Sequence, residues 1–101
     1  YAYLLDQLID QHLPVRFDMQ LASDYLQMSE RHLRRSLLLE GISFQQIRQT
    51  VLERKAKQML KNNLSIGDIS QALGFREVRE FRRAFKRWTG QAPSVYKNGT
   101  E

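Results

Sequence analysis

The chain has 101 residues, of which 42% are hydrophobic and 27% charged, enough for one compact domain or two small helical lobes sharing an element. It has no cysteine, which excludes a disulfide framework and a thiolate metal site and permits a reducing compartment; no apolar run approaches the roughly 20 residues of a membrane span. Its net charge of +5 lies entirely within residues 76–97, where seven cations face two anions. That concentration is the footprint of a polyanion partner, although a solvated basic helix face would carry it equally well.

The opening Tyr1-Ala2-Tyr3 has neither an initiator methionine nor a signal-peptide pattern, so the chain reads as a fragment of a longer, cytoplasmic protein. A first helix is predicted over residues 2–13, with Leu4, Leu5, Leu8, Ile9 and Leu13 on one face and Asp6 and Asp10 opposite, ended by Pro14. Asp18 is placed to cap a second helix carrying Met19, Ala22 and Leu26. After a turn at Gln27-Met28, Ser29 caps a third helix running to about Glu40. It has Leu33 and Leu37 inward, Arg31, Arg34 and Arg35 outward, and Gly41 as its stop.

From Ser43 to Lys61 the apolar period continues through Phe44, Ile47, Val51, Ala56, Met59 and Leu60, without proline or glycine, as one long helix widened at Leu52. Asn62-Asn63-Leu64 breaks it, and Ser65 caps the next short helix, three residues before Asp68. Leu73-Gly74-Phe75 then turns into a helix with two stripes. Val78, Phe81, Phe85 and Trp88 make the packing face, and Arg79, Arg82, Arg83 and Lys86 make a separate cationic one. Arg83 adjoins the packed face and could pair with Glu77 or Glu80. Gly90 closes that helix, Pro93 starts a last short one with Tyr96 turned to the core, and the chain is expected to fray from Asn98. No strand pattern occurs. A helix, a tight glycine turn and a second helix with an exposed basic face is the plan of a helix-turn-helix, whose second helix enters the major groove of DNA.

The plan is repeated. Leu33-Arg34-Arg35-Ser36-Leu37 matches Phe81-Arg82-Arg83-Ala84-Phe85 at an offset of 48, and Leu26-Gln27-Met28 matches Leu73-Gly74-Phe75 at 47, so the second turn is one residue longer. Gly41-Ile42-Ser43-Phe44 recurs as Gly90-Gln91-Ala92-Pro93, and three matches in one order argue for a duplicated unit. The joining helix, about 19 residues, spans roughly 28 Å, against about 34 Å between successive major-groove faces on one side of B-DNA. Two reading helices on such a spacer suit adjacent major-groove segments.

These residues resemble the DNA-binding domain of the AraC/XylS family of bacterial transcription regulators. The resemblance runs from about residue 4 to Lys97. It is most specific at Ile69-Ser70-Gln71-Ala72-Leu73-Gly74-Phe75, at Phe81 through Gly90, and at Pro93-Ser94-Val95-Tyr96-Lys97. The resemblance implies an all-α fold of seven helices: a first helix-turn-helix subdomain at residues 1–42, a linker helix at 43–63 and a second subdomain at 64–101. It implies activation or repression through promoter DNA and RNA polymerase, with any small-molecule effector held by a separate N-terminal domain. Carried over by position, base contacts come from Arg31, Arg34 and Arg35 in the first unit and from Val78, Arg79, Arg82 and Arg83 in the second. Lys86 and Arg87 then lie nearer the phosphates. Gln27 stands where the family has glycine, Leu37 where it has phenylalanine, and Leu52 where many members have arginine.

Ser65 and Ser94 sit where helix N-terminal N–H groups could meet phosphates, although capping alone explains them too. Trp88 and the phenylalanines share one helical stripe, which marks them as core and not as stacking platforms. His12 and His32 are isolated from any ligand spacing, and no activated nucleophile, paired carboxylates or phosphate-cradling loop occurs, so neither a metal, a cofactor nor an enzyme is indicated. The competing reading is a helical module whose basic face meets an acidic protein, such as a polymerase subunit.

Overall fold

The computed structural model describes residues 1–99, which form seven helices and no strand. They fall into two compact units, the first Tyr1–Val51 and the second beginning at Leu52.

The first unit contains α1 (Ala2–His12), α2 (Met19–Tyr25), α3 (Glu30–Leu39) and the first part of α4 (Phe44–Lys61). Its helix ends are fixed by local chemistry. The Asp18 side chain accepts the Leu21 N–H at 2.9 Å, and the Ser29 hydroxyl accepts the His32 N–H at 3.0 Å, each satisfying a donor the helix leaves open. The α2 helix closes on Gln27, which is left-handed at φ 55°. There the Met28 N–H donates to the Ser23 carbonyl at 3.0 Å and the Gln27 N–H to that of Asp24 at 3.2 Å. This is the Schellman pairing, and α3 ends the same way on Gly41, through Ile42 N–H to Leu37 O at 3.1 Å. Ser43 and Gln46 then cap α4 reciprocally: the Ser43 N–H donates to Gln46 Oε1 at 2.8 Å and the Gln46 N–H to Ser43 Oγ at 3.1 Å.

Between these ends, Leu5, Leu8, Ile9, Phe17, Ala22, Leu33, Leu37, Ile47 and Val51 form the core. Leu4, expected on the packing face of α1, is 38% exposed: the helix buries a narrower stripe than five leucine and isoleucine side chains would make. Asp6 and Asp10 are half-buried on the flank of that stripe. His12 is packed locally, its Nδ1 2.7 Å from the Leu8 carbonyl and its ring 4.5 Å from that of Phe17.

The second unit contains the rest of α4, α5 (Ile66–Ala72), α6 (Val78–Thr89) and α7 (Pro93–Gly99). The α4 helix closes on left-handed Asn63 (φ 65°), with Leu64 N–H to Met59 O at 3.1 Å. Ser65 caps α5 by accepting the Asp68 N–H at 3.1 Å. The α5 helix ends on Gly74 at φ 87°, with Phe75 N–H to Ser70 O at 3.0 Å, repeating the α2 closure 47 residues on. The duplication extends to burial: Ser23 and Ser70 are both buried, as are Leu33 with Phe81 and Leu37 with Phe85. Leu52, Ala56, Leu60, Ile69, Leu73, Phe81, Ala84 and Phe85 are the buried hydrophobic side chains among the described residues of this unit, joined by fully buried Pro93. Around them Phe75 meets Phe81 at 5.7 Å between ring centroids, and Phe85 takes the edge of Tyr96 at 5.5 Å. The α7 helix runs on through Asn98 to Gly99, past the point where fraying was expected; Thr100 and Glu101 lie outside the described residues.

Candidate nucleic-acid interface

In α6 the alternation of faces is complete. Phe81, Ala84 and Phe85 are buried, while Arg79, Arg82, Arg83, Lys86 and Arg87 are exposed. Three- and four-residue steps keep each set on its own side of the helix, because 100° per residue returns a side chain to within about 60° of its starting direction. Val78, assigned both to packing and to base contact, is half-buried at the first turn, as is Trp88 at the last. No side chain caps α6. Its N-cap residue, Glu77, instead holds the Arg79 guanidinium at 3.0 Å, with the two side chains 59% and 73% exposed. Arg79 therefore takes the carboxylate that Arg83 was expected to share. A pair this exposed is worth well under about 1 kcal/mol and opens at little cost.

In α3, Arg31, Arg34 and Arg35 keep the spacing of Arg79, Arg82 and Arg83 48 residues on, and they border two different hollows. Arg31 and Arg35, one turn apart, line a single cleft with Ser29, His32, Ser36 and Leu39. Arg34 lies about 100° around the helix from Arg35. It borders a different, mostly apolar groove with Met19, Leu37, Leu38, Ile42 and Phe44. All three are exposed. His32 and Leu39 were not singled out from the sequence as part of this face; the four-residue steps from Ser36 and Arg35 were the signal that could have found them.

Ser65 and Ser94 are exposed at the first turns of α5 and α7, and the Ser65 oxygen is already engaged by the Asp68 N–H. Two other cations are perturbed by their surroundings. Burial, and then the charge of Arg16, push the Arg48 guanidinium below its usual pKa. The hydrogen bond from Lys57 to Glu53 at 2.9 Å raises the lysine above its usual range, and its ammonium also lies 5.6 Å from the Tyr96 ring centroid. Among the described residues no cluster of histidine and carboxylate side chains could hold a metal ion, and no helix is long and apolar enough to cross a membrane.

Residues 22–99 match the helix-turn-helix domain family. The chain is 36% identical over 95 residues to the HTH-type transcriptional regulator VqsM of Pseudomonas aeruginosa, covering 93% of this chain and 28% of that protein. It is 41% identical over 81 residues to the ornithine utilization regulator of the same organism, covering 79% of this chain and 24% of the relative. Among solved structures, the transcriptional regulator CdpR of Pseudomonas aeruginosa superposes with a TM-score of 0.82 at 32% identity, over 96% of this chain and 30% of that one. The chain thus spans about a quarter of the length of these regulators.

Proposed function

We propose, since the chain belongs to the AraC-type helix-turn-helix family of DNA-binding transcription regulators, that it binds duplex DNA sequence-specifically through two reading helices, α3 and α6, each entering a major-groove segment. The observation that carries this reading is the exposed cationic stripe of α6 behind a Schellman turn, repeated in α3 behind a turn with the same hydrogen bonds. In this reading Arg31, Arg34, Arg35, Val78, Arg79, Arg82 and Arg83 face base edges. An arginine there can donate two hydrogen bonds to guanine O6 and N7, worth about 1–3 kcal/mol of discrimination. Lys86, Arg87, Ser65 and Ser94 meet phosphates and set the register.

In the intact cytoplasmic regulator this domain would be the output half, acting at a promoter alongside RNA polymerase, with any effector bound by another domain. The test is selection of bound duplexes from a random pool, followed by titration of the selected and a scrambled duplex over a salt series. The selected duplex should bind at least a hundredfold more tightly, with affinity falling steeply as salt rises. Equal affinity for the two would reduce the function to non-specific binding. A flat salt response, with duplex failing to compete against an acidic polymerase subunit, would favour the protein-interaction module.

A further inference from the structure

The two heads differ at the last turn of their reading helices. At the 48-residue offset that aligns Leu33 with Phe81 and Leu37 with Phe85, Leu38 and Leu39 fall on Lys86 and Arg87. The second head thus ends its reading helix with two exposed cations, and the first ends it with two exposed leucines, at 69% and 86% of their surface. Leucines so exposed contribute almost nothing to the core and leave apolar area in water. Of the two, Leu39 lies one turn beyond Arg35 and lines the same cleft as Arg31 and Arg35, which puts an apolar side chain beside two cationic ones on that face. Leu38 faces the separate groove beside Arg34.

We propose that Leu39 is a specificity-determining residue of the first head, reading the C5-methyl group of a thymine next to the bases read by Arg31 and Arg35. This rests on the DNA-reading role of α3 proposed above. The argument is one of chemical class. An isobutyl group can neither donate nor accept a hydrogen bond, and the apolar feature that a base edge shows in the major groove is the thymine methyl. Bringing the two together removes apolar surface of both from water, which a cytosine or guanine at that place cannot reproduce. Leu39 also offers no charge to a phosphate, so in this position the first head exchanges backbone grip for base preference.

The experiment uses the 101-residue chain and the duplex enriched from a random pool. Each thymine of that duplex is replaced singly by uracil, which lacks only the C5-methyl, and affinities are measured for the unaltered chain and for Leu39→Ala. Leu39 is too exposed for the substitution to disturb folding, which a thermal melt verifies. At one or two thymines, uracil should weaken the unaltered chain about three- to tenfold. Leu39→Ala should weaken binding to the thymine duplex by a similar factor and be indifferent to uracil at those positions. The proposal is overturned if uracil affects both proteins alike, if no uracil matters, if no thymine is enriched, or if Leu39→Ala binds as tightly as the parent, the result expected of a protein-docking leucine. Failure to enrich any duplex would instead remove the DNA reading itself, and this inference with it.

Discussion

Gln27 adopts a left-handed backbone at φ 55°, where its repeat counterpart Gly74 stands at φ 87°. A side chain there meets its own carbonyl, and glycine escapes that cost, while glycine in turn loses more freedom on folding. Gln27→Gly should therefore stabilise the first unit by about 0.5–1 kcal/mol, and Gly74→Ala should destabilise the second by about 1 kcal/mol, both read from chemical denaturation midpoints. Glu40 supplies a second test at this scale. Its carboxyl is held below the usual carboxylate range first of all by the Ala2 N–H, which donates to it at 3.1 Å. A depressed folded-state pKa adds stability above the unfolded-state value and loses it as pH falls through the folded one. Amide exchange in the first turn of α1, corrected for its intrinsic pH dependence, should accelerate on acidification through that range, and Glu40→Gln should abolish the dependence. On the reading surface, Arg82→Ala should relax preference at one base position, whereas Lys86→Ala should weaken all sequences alike and reduce the salt slope by about 1.

At the scale of helices, beginnings and ends were legible because they are written in single residues. Asp18, Ser29, Ser43 and Ser65 each accept a main-chain N–H, as their positions suggested, and Gly41, Gly74 and Gly90 each close a helix with positive φ. Ser29→Ala and Ser65→Ala should each cost about 1 kcal/mol of unfolding free energy, with the loss confined to the unit that carries the substitution. The left-handed turn at Gln27 was legible only through the resemblance, since glutamine gives no such signal by itself. Burial was read less well than boundaries. Leu4 is exposed, because which side of a stripe gets covered depends on neighbouring helices far along the chain.

At the scale of the whole chain, the boundary between the compact units falls between Val51 and Leu52, inside α4. Two alanines inserted there leave each unit's own sequence intact while turning the C-terminal part of the helix by about 200° about its axis and advancing it about 3 Å. If both heads read one duplex, this insertion should weaken binding to the full selected site at least tenfold while leaving affinity for an isolated half-site unchanged. Unaltered binding to the full site would mean that the heads act independently.

The cationic stripe of α6 and the packed stripe beneath it share no side chain between Arg79 and Arg87; only the helix backbone joins them. Its letters can therefore be rewritten without renegotiating the scaffold. A library randomised at positions 79, 82 and 83 with proline and glycine left out should melt within a few degrees of the parent, and on the proposed reading its members should diverge in the operators they choose. For a lineage of regulators, that separation makes new target genes reachable by small steps, none of which has to pass through an unfolded ancestor.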